Sequence, residues 1–190
     1  MSATVATGYV RSKIHPNKLA LWIGCGSIMM MFAAFTSAYI VRKAAGNWIE
    51  FPLPTVFYGS TVVIITSSVM LHLSYRAFKR GNALLYRGFL LATLLLGITF
   101  LILQYQGWVA LDAILPLGNN PSGDFLYTLS GVHAAHILGG ITILIIALLH
   151  ACLLPYKVIP ARQLRFELTL TYWHFVDLLW VYLFVFLLIQ

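Results

Sequence analysis

Two groups of residues in this chain are equipped for chemistry: the histidines His133 and His136, three residues apart, and the set Glu167, His174 and Asp177. On a helix, residues three or four apart share a face, so SGVHAAH (Ser130 to His136) presents two imidazoles together. TYWHFVDLLW (Thr171 to Trp180) sets His174 and Asp177 on one broad side with Glu167. Imidazole and carboxylate are ligands for transition metals and haem iron. Histidine also exchanges protons near neutral pH. A third use is structural: a carboxyl group within apolar surroundings is costly, and hydrogen bonds to imidazole or to the Trp173 indole offset that cost. Three readings therefore stand: a polar seam that fixes helices or meets lipid, a metal or haem centre, and a proton relay. The structural one is preferred, because intramembrane charges usually face protein and pair, and H-x-x-H alone specifies no metal. His15, His72 and His150 fall near segment ends, where water or an interface is the default environment.

The elements that position these groups follow from composition. Hydrophobic residues make up 61% of the 190 residues and charged residues 9%, far from a soluble domain and characteristic of an integral membrane protein. About 20 mainly apolar residues cross a hydrocarbon core as a helix. Five stretches qualify, near residues 19–41, 56–75, 88–106, 125–149 and 168–188, and strand alternation is absent. The expected fold class is all-α: a polytopic membrane bundle of five helices, with residues 1–18 a cytoplasmic N-terminal segment and 19–190 one membrane domain. In antiparallel helices four and five, Asp177 and His136 fall at roughly the same depth, about 13 to 14 Å from the inner side. A buried polar seam between those two helices is the expectation.

Orientation follows from positive charge, which is retained on the cytoplasmic side. Arg11, Lys13, Lys18, Arg76, Lys79, Arg80, Arg87, Lys157, Arg162 and Arg165 fall on one side of the spans, against Arg42 and Lys43 on the other. The N-terminus is predicted inside and the C-terminus outside. These cations bracket spans instead of forming one stripe, so anionic lipid fits them better than nucleic acid. No cleavable signal peptide is legible, and the first span reads as an uncleaved helix. Cys25 and Cys152 lie in or beside the reducing side, where a disulfide is not expected. The connection from Gly107 to Asp124 is expected to run outside, its apolar first half along the interface with Trp108 as anchor. Small residues such as Ala33, Ala34, Ser37, Ala38, Gly139 and Gly140 read as helix-packing positions.

At this point the residues resemble a known family, subunit III of the haem-copper terminal oxidases (cytochrome c and quinol oxidases). YTLSGVHAAHILGG (Tyr127 to Gly140) is similar to the family's SGxHxxHxxxG helix, and YWHFVDLLW (Tyr172 to Trp180) to its WHFVDxxW signature. Glu167 matches an acid found just upstream. Weaker matches start at His15, Thr66 and Gly97, so the resemblance covers nearly the whole chain. Family members often have seven spans, and this chain resembles the last five. Many carry a buried glutamate directly after a serine in the first of those five; here Ser27 is followed by Ile28.

The resemblance implies a non-catalytic subunit of a proton-pumping oxidase in a bacterial cytoplasmic membrane. It would bind no haem or metal of its own, with haem and copper in partner subunit I. It would pack against subunit I and other oxidase subunits, hold structural phospholipids, and support proton uptake and durability in aerobic respiration, with a respiratory supercomplex as the candidate larger assembly. His133, His136, Glu167, Trp173, His174 and Asp177 would form polar contacts or meet lipid. A membrane protein with its own haem or metal centre, or a small transporter, remains the alternative class.

Overall fold

The computed structural model describes residues 15–156 and 158–190; most of the expected N-terminal segment, with Arg11 and Lys13, and Lys157 lie outside the described residues. The described chain is five helices: α1 Pro16–Ala44, α2 Val56–Lys79, α3 Ala83–Asp112, α4 Pro121–Leu153 and α5 Pro160–Ile189. All five are long and apolar enough to cross a membrane. Even the shortest, α2 with 24 residues, is about 36 Å long at 1.5 Å per residue.

Local chemistry sets where the helices start. His15, in extended conformation, accepts the Asn17 N–H at 3.3 Å, and Pro16 follows at the first helical position, where its missing N–H is harmless. Asn120 repeats the arrangement for α4, its side chain accepting the Ser122 N–H at 3.0 Å before Pro121. Asn82 caps α3 through the Leu85 N–H at 3.2 Å. The tight link between α2 and α3 turns at Gly81, whose φ of +80° suits a residue without Cβ.

Helices α2, α3, α4 and α5 pack in a closed ring, each against the next and α5 back against α2, while α1 rests on α4 and α5. Burial follows this plan: 44% of the apolar window of α5 is buried but only 17% of that of α1. Consecutive helices run antiparallel. One end of the bundle, the basic end, carries Lys18, Arg76, Lys79, Arg80, Arg87, Arg162 and Arg165. Side chains interlock along the ring. Phe57, Phe100, Trp173 and Trp180 are each at most 1% exposed.

One expectation is corrected. The segment after Gln106 does not turn along a membrane surface; α3 continues to Asp112. Trp108 faces inward, its indole N–H donating to Ser130 Oγ at 2.8 Å, while its carbonyl accepts from Tyr127 O–H at 3.2 Å. An uninterrupted apolar run with a hydrogen-bonded indole gains more from helix packing than from leaving the bundle. Both cysteines are free thiols, Cys25 buried and Cys152 exposed.

Candidate functional site

The polar residues singled out above occupy four different settings. At the basic end, Glu167 of α5 gathers three donors. Its Oε2 accepts from Lys18 Nζ at 2.7 Å, and its Oε1 accepts from Tyr75 O–H at 2.7 Å and Gln163 Nε2 at 3.0 Å. Lys18 belongs to α1 and Tyr75 to α2, so one carboxylate ties three helices. Tyr75 also stacks on Phe166, with centroids 5.5 Å apart and planes 8° from parallel. The ion pair is partly exposed, with side chains 41% and 25% accessible. It therefore contributes less than a dry pair, on the order of 1 kcal/mol or below.

Two turns further along α5, His174 meets α2. Its Nδ1 is hydrogen-bonded to the Ser68 hydroxyl, and its ring lies 6.1 Å from that of His72. Asp177, one turn beyond, is only 4% exposed. Neither of its oxygens has a hydrogen-bond partner among the described residues.

Trp173 is the wedge of the bundle. Its indole N–H donates to Ser67 Oγ on α2 at 3.2 Å. The ring fits between the backbones of α3 and α4 at two glycines: a Cβ on Gly97 would meet Trp173 Cη2 at 2.9 Å, and one on Gly140 would meet Cζ3 at 2.9 Å. Two turns along α5, Trp180 repeats the hydrogen bond to α2, donating to Thr61 Oγ1 at 3.0 Å, while its ring packs on an aromatic side chain, 5.2 Å from the Phe100 ring. Close approach through small residues and interhelical hydrogen bonds are the means by which helices associate in lipid.

The α4 histidines divide. His133 is fully buried in an aromatic box, its ring 5.1 Å from Trp180, 5.9 Å from Phe100 and 6.4 Å from Phe32. Neither of its nitrogens has a partner among the described residues. His136 Nδ1 lies 2.7 Å from the Val132 carbonyl, a geometry in which Nδ1–H donates to its own helix. The His136 carbonyl in turn accepts from Tyr172 O–H at 3.1 Å.

The structure thus brings Trp173 and His174 to α2, and Glu167 to both α1 and α2. No side-chain hydrogen bond among the described residues joins His133 or His136 to Glu167, His174 or Asp177; the contact of α4 with α5 runs through Trp173, Tyr172 and Trp180. Nor does any group of three or more His, Cys, Asp and Glu side chains converge among the described residues in a way that could hold a metal ion. Sequence reasoning missed Lys18, Ser67, Ser68, Thr61 and Gly97 as partners. Ser67 and Ser68 carried a weak signal, as hydroxyls in an apolar run. Lys18, 149 residues from Glu167, carried none.

Comparison with known proteins bears on what such a bundle is. A family model described as cytochrome c oxidase subunit III matches residues 44–190. The chain is 28% identical to a probable cytochrome c oxidase subunit 3 of Mycobacterium tuberculosis (strain CDC 1551 / Oshkosh) over 195 residues, covering 96% of this chain and 93% of that one. It is 30% identical to a cytochrome c oxidase subunit 3 of Corynebacterium diphtheriae over 168 residues, 83% of this chain and 80% of the relative. Against the Paracentrotus lividus subunit 3 it is 31% identical over 126 residues, 66% of this chain but 47% of that longer one. With five spanning helices and a family match over well above half its length, the chain is a multi-pass membrane component of a multisubunit oxidase and belongs to the cytochrome c oxidase subunit III family.

Proposed function

We propose that this chain is a non-catalytic subunit of a haem-copper terminal oxidase, packing against the catalytic subunit, holding phospholipid and sustaining proton uptake and turnover. The observation that carries this reading is how its polar groups are used. Glu167, Trp173, His174 and Trp180 each hydrogen-bond to α2, and Glu167 also to α1, a use of polar groups suited to fixing helix positions. The basic end faces the cytoplasm of a bacterial cell in this proposal, as the distribution of Lys and Arg indicates.

Phospholipid has a fitting groove along α1, α4 and α5. Leu21, Gly139, Ile143, Ile146 and Tyr172 line its apolar length, with His150 and Arg165 toward the basic end. Apolar walls match acyl chains, and the Arg165 guanidinium matches a phosphate. Supporting turnover is then the effect of a rigid, lipid-bearing neighbour on the catalytic subunit.

The test is purification of the tagged chain from its own membranes, with identification of co-purifying polypeptides and lipids and a haem spectrum. Catalytic oxidase subunits, phospholipid and haem should accompany the chain, and the haem should leave with the partner when the complex is dissociated. Haem or metal remaining stoichiometric with this polypeptide alone would overturn the proposal.

A further inference from the structure

We infer that the face formed by α2 and α5 around His72 and His174 is a docking surface for a transmembrane helix of a different membrane protein, one that presents a hydrogen-bonding side chain at that depth. The inference rests on the oxidase-subunit reading and specifies the face through which the chain meets its partner.

Depth is the first argument. His72 is seven residues from Lys79 at the basic end of α2, about 10 Å along the helix, and His174 is fourteen residues into α5. The observed α2 runs past the expected span end at residue 75 to Lys79, so with α2 and α5 centred on a hydrocarbon core of about 30 Å both imidazoles fall inside it. His72 is nevertheless exposed, and His174 is half-buried. Ser68 engages Nδ1 of His174, which leaves Nε2 of that ring, and the His72 ring 6.1 Å away, facing surroundings that must satisfy them. An acyl chain offers neither donor nor acceptor, and polar groups left bare in hydrocarbon are costly.

The surrounding surface is the second argument. Val62, Ile65 and Val69, 65%, 47% and 52% exposed, continue from His72 along one stripe of α2, and Leu178 of α5 is 70% exposed beside His174. Spacing of three and four residues makes that stripe a single helix face, an apolar strip with an imidazole pair set into it. The outward face of α3 differs: Leu91, Leu95, Ile98 and Ile102 are exposed there with no titratable group among them, a surface lipid covers at no cost. A partner helix, by contrast, packs on the apolar strip and bonds the imidazoles.

A benzophenone amino acid placed at Val69, in the intact complex in native membranes, tests the inference, with Leu95 of α3 as the control position. Irradiation should join Val69 to an oxidase subunit other than this chain and Leu95 to lipid only. In parallel, His72→Leu should lower the co-purified partner about fivefold, the ratio for ~1 kcal/mol of lost interhelical hydrogen bonding, and His72→Asn should restore most of it. Lipid adducts alone from Val69 in a complex that still co-purifies would overturn the docking face and leave the subunit reading intact. An adduct between two copies of this chain would replace the inferred partner. Absence of any oxidase subunit beside the wild-type chain would overturn the reading on which the inference rests.

Discussion

Gly140→Ala is expected to loosen the bundle through one contact, and the size of the effect follows from the geometry. The new Cβ would stand 2.9 Å from Trp173 Cζ3 and 3.0 Å from Cε3, where carbon atoms prefer about 3.5 to 4.0 Å. An indole is rigid. It cannot retreat, because the far edge of the same ring already fills the notch at Gly97, where a Cβ would meet it at 2.9 Å. Overpacking of this kind costs about 1 to 3 kcal/mol. Replacing glycine by alanine within a helix also brings a gain of up to about 1 kcal/mol in aqueous helices, so the proper reference is Gly131→Ala. That position is on the same helix and has no atom within 4 Å of the added carbon. Reversible denaturation in mixed detergent micelles, followed by helical circular dichroism, should place Gly140→Ala about 1 to 3 kcal/mol below Gly131→Ala. In a Trp173→Phe background, where the smaller ring vacates the notch, most of that difference should vanish. Equal stabilities of the two alanine variants, or the same penalty with phenylalanine at 173, would refute the wedge.

Three further expectations follow from the other contacts. Glu167→Gln removes the charge that holds Lys18 but keeps a group for Tyr75 and Gln163; amide hydrogen exchange in the first turns of α1 should accelerate severalfold, with global stability falling by less than ~1 kcal/mol because the pair is partly exposed. Unchanged exchange from Lys18 to Trp22 would show that α1 is held by other contacts. Thr61→Val leaves the Trp180 indole N–H without its acceptor at nearly constant shape and should cost roughly 0.5 to 1.5 kcal/mol in the same unfolding assay; no loss would mean the 3.0 Å contact is incidental. Asp177→Asn should leave the stability of the purified chain unchanged or raise it, since the substitution removes a buried acid without orphaning a described partner; a loss above ~1 kcal/mol would reveal a hydrogen bond that depends on the carboxylate.

The chemistry that looked most specific in the sequence was divided by the packing. His133 and His136 share a helix face by spacing and both rings flank Phe32, yet one is enclosed by Phe100 and Trp180 as well while the other hydrogen-bonds its own backbone. A spacing of three residues places two Cβ atoms on one side; it does not aim two rings at one point. Glu167, His174 and Asp177 were placed on one side of a helix by the same logic, but which helix they meet depends on rotation of α5 about its axis. That rotation is set by Trp173, whose ring fills the notches at Gly97 and Gly140, and by the indole N–H groups of Trp173 and Trp180, which bond Ser67 and Thr61. Glycine in an apolar run carries no label for the ring that will fill it.

What the sequence by itself determined was the number of spanning helices, their alternation through the membrane and the concentration of cations at one end. Each is local, following from about 20 apolar residues per crossing and from short charged connections. Motif order also sufficed to indicate the family that residues 44–190 match. Tertiary structure alone decided that α2 through α5 close a ring with α1 laid outside it, and that Lys18 answers Glu167. It also decided that His72 joins His174 on an outward face. Those pairings depend on how helices rotate and pack once the hydrophobic requirement is met by every candidate arrangement. In lipid that choice is made by shape and hydrogen bonding, which reside in contacts between distant residues.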